Sequence, residues 1–240
     1  MKVKWLGHSA FKFTSDTGTT VITDPYSAYS GLSYGEIKES ADVVTISHEH
    51  GDHNNAAAVQ DNPEVVKGEG TKWVLPSAVF QTSSVRSSIP DTDKEKQELG
   101  YMRFNGVATY HDDAGGSKRG GNNIFCFEID GIRVCHLGDL GHPLGDKEAA
   151  AIGEVDVVLT PVGGFFTIDA KTATGVCDQL APKVIIPMHF KNEKCAFPIS
   201  AVDDFLEGKT GVSKPGASEV EFKKGNLPAT TQIVVLEPAL

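Results

Sequence analysis

The segment Thr45-Ile46-Ser47-His48-Glu49-His50-Gly51-Asp52-His53 carries four potential metal ligands, His48, His50, Asp52 and His53, within six residues. The run before them, Ala41-Asp42-Val43-Val44-Thr45-Ile46, is short, apolar and β-branched, which reads as a buried strand. The ligands therefore sit on the loop just past a strand end, where the sheet holds the backbone and the side chains project free. Imidazole and carboxylate together suit zinc, iron or manganese rather than calcium or magnesium. Asp52 interrupts the spacing of the helical two-histidine zinc motif, and nothing here signals a helix. Three of the eight histidines fall within this one loop, which argues against a chance polar turn.

Outward from that loop, the first residues read as a strand meander: 3–6, 10–14 and 19–23, with a Ser15-Asp16-Thr17-Gly18 turn. Asp24-Pro25 ends the third strand, because proline cannot continue the ladder. After His53, residues 54–59 read as a short helix capped by Asn54 or Asn55. Short strands are expected near 65–66 and 72–75. Residues 76–100 read as an exposed, solvated connection, with a lid or an oligomer contact as alternatives. Residues 101–110 return to strand character and lead into His111. Residues 114–123 form a glycine-rich link without a phosphate-loop order, and its Lys118 and Arg119 are candidates to meet a substrate anion.

The second half echoes the first. Residues 124–129, an Asp130-Gly131 turn and 132–136 predict a hairpin ending in Leu137-Gly138-Asp139. Val155-Asp156-Val157-Val158-Leu159 resembles Ala41-Asp42-Val43-Val44-Thr45, and 183–187 leads into Met188-His189. The expectation is that strands deliver Asp139 and His189 as they deliver Asp24 and His48. Residues 145–152 and 169–180 read as amphipathic helices, and 220–223 and 231–236 as edge strands. One domain over 1–240 is expected.

Composition bounds the rest. With 240 residues, 40% hydrophobic and 22% charged, the chain can bury a sizeable core. A net charge of −10 argues against non-specific nucleic-acid or membrane binding. The start lacks a signal-peptide core, and the four cysteines show no Cys-x-x-Cys spacing, which points to reduced thiols in the cytoplasm.

His-x-His-x-Asp-His after an apolar strand resembles the signature of the metallo-β-lactamase superfamily. Asp24, the 48–53 cluster, His111, Asp139 and His189 follow in that superfamily's order. The phrases Trp5-Leu6-Gly7-His8, His136-Leu137-Gly138-Asp139-Leu140-Gly141-His142, Pro161-Val162-Gly163-Gly164 and Ile186-Pro187-Met188-His189-Phe190 look like one branch of it. That branch comprises bacterial and archaeal Zn-dependent hydrolases of β-lactamase fold that also resemble ascorbate-6-phosphate lactonase and N-acyl-phosphatidylethanolamine phospholipase D. The resemblance implies an α/β fold, a four-layer αββα sandwich of two pseudo-equivalent halves with the site at the sheet ends. It implies that His48, His50 and His111 hold one ion, Asp52, His53 and His189 the other, and that Asp139 bridges. It places Asp24 behind the ligands, orienting them by hydrogen bonds.

The chemistry expected is hydrolysis of an ester, lactone or phosphodiester of a small anionic substrate by metal-bound hydroxide. Two divalent ions ~3.5–4 Å apart clamp attacking and leaving oxygens and bring bound water to a pKa of about 7. Zinc or manganese is expected, with iron or nickel as alternatives. Asp52 is a candidate to orient the hydroxide, and His8 and His142 are candidate proton donors that can equally be structural. Lys191 joins Lys118 and Arg119 as a candidate substrate contact. Three rivals stay open: a di-iron redox protein, betrayed by iron content and a visible spectrum; a metal-binding protein without catalysis; and a nuclease of the same fold. A homo-oligomer also remains open.

Overall fold

Strands whose side chains alternate between two faces build two sheets whose inner faces share one core. A computed structural model of the chain describes residues 1–27, 31–76 and 90–240. Within the expected connection at 76–100, residues 77–89 lie outside the described residues. The first sheet contains β1 (Lys2–Gly7), β2 (Ala10–Thr14), β3 (Thr20–Thr23), β4 (Val43–Ile46), β5 (Glu64–Lys67) and β13 (Glu219–Glu221), in the order β13-β1-β2-β3-β4-β5. The second contains β6 (Gly70–Val74), β7 (Met102–Tyr110), β8 (Gly121–Ile129), β9 (Ile132–His136), β10 (Val157–Pro161), β11 (Val184–Met188), β12 (Val212–Ser213) and β14 (Gln232–Val234). Its order is β12-β14-β11-β10-β9-β8-β7-β6.

Val3, Trp5, Phe11, Phe13 and Val43 point between the sheets and meet Phe125 and Phe127; Phe13 and Phe127 meet edge to face at 5.2 Å. Leu6, Ile22, Val44 and Ile46 take the other face of the first sheet. This period-two division is what a sheet buried on both faces requires. Among the described residues the helices are α1 (Asp93–Glu98), α2 (Asp146–Ile152), α3 (Ala170–Leu180) and α4 (Val202–Leu206). The α3 helix packs on β10 and α4, and α2 on β7. The arrangement is the expected αββα sandwich.

The two halves are pseudo-equivalent in detail. In each, an antiparallel meander (β1-β2-β3, β7-β8-β9) continues into parallel strands (β3-β4-β5, β9-β10-β11). The echoed aspartates play one role: Asp42 accepts from the backbone N–H of Thr20, and Asp156 from that of Arg133, each on the preceding strand. One expected equivalence is a strand out. Asp139 does match Asp24 in following a meander's third strand, Asp24 directly after β3 and Asp139 on the loop that leaves β9. The counterpart of β4, however, is β10, which ends in Pro161-Val162-Gly163, whereas His189 follows β11.

Other differences are local. The predicted 54–59 helix is only a 3-10 turn over Ala56–Ala58, and its Asn55 makes no side-chain cap. The exposed run at 91–96 instead starts α1, with a capping box between Thr92 and Glu95. The last strand, β14, lies inside its sheet between β11 and β12 rather than at an edge. The glycine-rich link is not a loose hairpin loop. Asp112, buried, accepts from the backbone N–H groups of Ala114, Gly116, Lys118 and Arg119. All four cysteines are free thiols; Cys126 and Cys135 face each other on β8 and β9 with Sγ atoms 3.5 Å apart. Among the described residues, no helix is long and apolar enough to cross a membrane.

Candidate metal centre

Loops leaving the ends of β1, β3, β4, β7, β9 and β11 bring the predicted residues together between the sheets. Three of these loops begin with a non-glycine residue in the left-handed region: His8 (φ 51), Asp24 (φ 40) and His189 (φ 51). Such backbone is strained and persists only where the surroundings fix it. Gly138 (φ 56) shows how tight the packing is. A Cβ there would lie 2.3 Å from Asn122 Oδ1 and 2.6 Å from Ser47 Cβ, so only glycine lets the Asp139 loop pass over the His48 loop.

Asp139 Oδ2 is the centre of the cluster. It lies 3.2 Å from His53 Nε2, 3.2 Å from His111 Nε2, 3.3 Å from His189 Nε2 and 4.0 Å from His48 Nε2. On one side His48, His50 and His111 gather donor atoms within 4.8 Å of one another; on the other, His8, Asp52, His53 and His189 do the same. His48 Nε2 and His50 Nδ1 are 3.1 Å apart, and Asp52 Oδ2 is 3.7 Å from His53 Nε2. Donors at ~2.0–2.1 Å from a tetrahedral ion are separated by about 3.3 Å, so the spacings fit ligands that share an ion.

A second observation agrees. His53 Nε2 and Asp139 Oδ1 are buried without hydrogen-bond partners among the described residues. Buried polar atoms are rarely left so unless something else occupies their lone pairs.

The ligands are oriented from behind. Asp24, fully buried, accepts from His53 Nδ1 at 3.0 Å and from the Ser47 backbone N–H at 2.8 Å. Ser47 Oγ also donates to Asp24, which leaves that hydroxyl oxygen to accept from His48 Nδ1 at 2.9 Å. One carboxylate thus sets the tautomer of two histidines, leaving each Nε2 free for an ion. Asn123 holds the Ser47 carbonyl through both its backbone and side-chain N–H groups. Asn122 Oδ1 accepts from the Asp139 backbone N–H while its amide donates to Leu137 O and Thr109 Oγ1.

Electrostatics favour positive charge at the centre. Burial works against a charged His53, but Asp139, Asp24 and Asp52 outweigh it and hold the pKa well above the ordinary value. Asp139 is held well below its ordinary value by His189 and His53 despite burial. Burial first, and His53 next, push His48 down to about 3, so its imidazole is neutral and ready to ligate at neutral pH.

Not every sequence candidate joins the cluster. His142 stands outside it: Nε2 accepts from the Tyr110 backbone N–H and Nδ1 donates to Pro143 O, so its ring staples two loops. Lys118 pairs with Asp113 at 2.7 Å. Arg119 donates to Phe165 O and lies over the Phe166 ring at 5.6 Å, which makes it a tie between loops rather than a free anion contact. Lys191 is exposed, two residues after His189. Sequence reading missed Ser47, Asn122, Asn123 and His136. The ring of His136 is spent on Ser9 O and the Gly138 N–H, bridging the two sheets.

Comparisons with known proteins agree with this architecture. Residues 2–189 match the family described as "Beta-lactamase superfamily domain". A UPF0173 metal-dependent hydrolase of Hyperthermus butylicus is 30% identical, over 89% of this chain and 96% of its own. One of Pyrococcus abyssi is 28% identical over 90% and 97%. A solved structure from Thermotoga maritima, named for a Zn-dependent hydrolase of the metallo-beta-lactamase superfamily, is 34% identical. It covers 98% of both chains with a TM-score of 0.74. With the family matched over most of its length and the donor set in place, the chain belongs to the metallo-β-lactamase superfamily, alongside relatives named metal-dependent hydrolases.

Proposed function

We propose that the protein is a dinuclear metal-dependent hydrolase that cleaves an ester, lactone or phosphodiester bond of a small anionic substrate. The observation that carries this reading is Asp139 Oδ2 standing 3.2–3.3 Å from histidines of both donor sets, as a shared carboxylate must. His48, His50 and His111 would hold one ion, and Asp52, His53 and His189 the other. The donor set of imidazoles and carboxylates suits zinc or manganese, with iron or nickel as alternatives. When bound, such ions polarise a scissile carbonyl or phosphoryl group and lower the pKa of a coordinated water to about 7.

The chain's own residues supply the rest. Asp24 and Ser47 keep His53 and His48 in the ligating tautomer. Asp52 retains 14% side-chain exposure, and burial notwithstanding, its His8 and His53 neighbours hold it below the ordinary carboxylate range. An ionised carboxylate at the edge of the cluster can accept a proton or a hydrogen bond from an incoming water. Lys118 and Arg119 are held by Asp113 and Phe165, whereas the Lys191 side chain makes no hydrogen bond or ion pair among the described residues.

Elemental analysis of fully loaded protein tests the reading, followed by a panel of phosphodiesters, lactones and thioesters. Two ions per chain are expected, and Asp139→Ala should weaken binding of both. A single ion in loaded wild type would remove the dinuclear claim. Bound iron with a visible redox spectrum and no hydrolysis would replace the hydrolase by a redox protein.

A further inference from the structure

We infer that His8 is a fourth side-chain donor to the ion position formed by Asp52, His53 and His189. The inference rests on the dinuclear reading above and goes beyond the seven ligands that the sequence motifs supply.

His8 is fully buried, and neither ring nitrogen has a hydrogen-bond partner among the described residues. His136 provides the contrast inside the same protein. It is equally buried, and both of its nitrogens are paired, as a purely structural imidazole requires. The Nε2 of His8 stands 3.4 Å from Asp52 Oδ2 without making a hydrogen bond to it. His53 Nε2 shows the same signature against Asp139 Oδ2, at 3.2 Å and again without a hydrogen bond. Buried donor atoms at this spacing that leave one another unpaired are what ligands to one ion present. His8, Asp52, His53 and His189 each offer one such atom, all within 4.8 Å of one another.

The backbone holds the ring there at a cost. His8 has φ 51, and its carbonyl accepts from Trp5 Nε1 at 3.0 Å and from the His189 N–H at 3.4 Å. Its ring lies 4.1 Å from that of His189 and meets Phe197 edge-on at 5.8 Å. Strain locked by packing in this way is found where a side chain's position matters.

The consequence is asymmetry between the two positions. His8, Asp52, His53 and His189 with the shared Asp139 make five protein donors at one. The other has four: His48, His50, His111 and Asp139. Five donors would suit an ion of higher coordination number than tetrahedral zinc. A substrate would then meet the His48 side, where His50 is exposed.

The test uses the full chain stripped with a chelator and titrated with Co²⁺ alone, for wild type, His8→Ala and His8→Gln. Stoichiometry comes from elemental analysis, and coordination from the visible d–d absorption, which strengthens as coordination number falls. Two ions are expected in wild type. Both variants should weaken one of the two by at least about 10-fold, the lower end of what even an outer hydrogen-bond partner of a ligand costs. The absorption of that ion should intensify, and added imidazole should reverse the change in His8→Ala but not in His8→Gln. His8→Gln preserves bulk at the site should the alanine variant not fold. Two ions with unchanged affinity and spectrum in the folded variants would overturn the inference while leaving the dinuclear reading intact. A single ion in wild type would instead overturn the dinuclear reading; His8 as a ligand then stands or falls on whether that ion's spectrum moves in the variants.

Discussion

Ser47 is not among the candidate ligands, yet it governs the one next to it. Its hydroxyl passes the Asp24 carboxylate's pull to His48 Nδ1, whereas His53 Nδ1 reaches Asp24 directly. Ser47→Ala should therefore weaken the ion held by His48, His50 and His111 by about 10–100-fold and spare the other, while Asp24→Asn should weaken both. Competition against a chelator of known affinity, with one ion followed at a time, separates these cases. Equal weakening of both ions by Ser47→Ala would show that the serine acts on the loop as a whole. At this scale the ligands were legible because chemistry demands histidine and aspartate at fixed spacing. Ser47, Asn122 and Asn123 were not, since serine and asparagine serve any loop equally well. Only the three-dimensional approach of the Asp139 loop to the His48 loop gives them their role. His142 is the converse, a residue inside a suggestive phrase whose ring nitrogens are both used by backbone.

Among the elements, the tight loop after β7 is organised by one carboxylate. Four backbone N–H groups, led by that of Arg119, hold the Asp112 pKa down to about 2 against the effect of burial. Because the folded value is depressed, this contribution is present above the unfolded aspartate value and lost only as pH falls through about 2. Asp112→Ala should speed hydrogen exchange at Ala114, Gly116, Lys118 and Arg119 and loosen the neighbouring ligand His111. Protection unchanged at those amides would show that the glycines hold the loop unaided. Arg119, at the far end of this loop, grips Phe165 O and the Phe166 ring. Arg119→Ala should then lower kcat/KM by a similar factor for charged and neutral substrates of the same scissile bond. A loss larger for the charged one by 10-fold, about 1.4 kcal/mol, would return the arginine to the substrate. Strands were legible from β-branched runs, and the helices over 145–152 and 169–180 from their periodicity. The offset of His189 was not, because strand pairing across the fold decides which strands correspond. The α1 and α4 helices, six and five residues long, are too short for periodicity to declare.

On the scale of the whole molecule, the buried histidines set how the metal-stripped fold responds to acid. Burial, acting first in each case, lowers His8 to about 4 and His48 to about 3, and moves His111 and His136 in the same direction. The unfolded chain binds protons at these four positions near pH ~6.5, before the folded protein can. Between that value and about 4 the unfolded state therefore carries more bound protons, and stability must fall as pH falls. Each fully unprotonated histidine contributes a slope of about 1.4 kcal/mol per pH unit in that window. His53 does not oppose this, since its raised pKa leaves it protonated in both states below ~6.5; its stabilising effect is present there and is lost as pH rises through its folded value. The carboxylates Asp24 and Asp139, held low in the fold, lose their contribution only at still more acid pH. Urea unfolding of chelator-treated protein should show a stability that declines from neutral pH towards pH 4. His136→Asn, which removes one of the four far from solvent, should make the decline shallower even if it lowers stability at pH 7. A stability independent of pH across that window would mean that the stripped cluster does not retain the packing described here. Loading with metal should preserve the direction and steepen it, because the ions require the same imidazoles neutral and leave as those protonate.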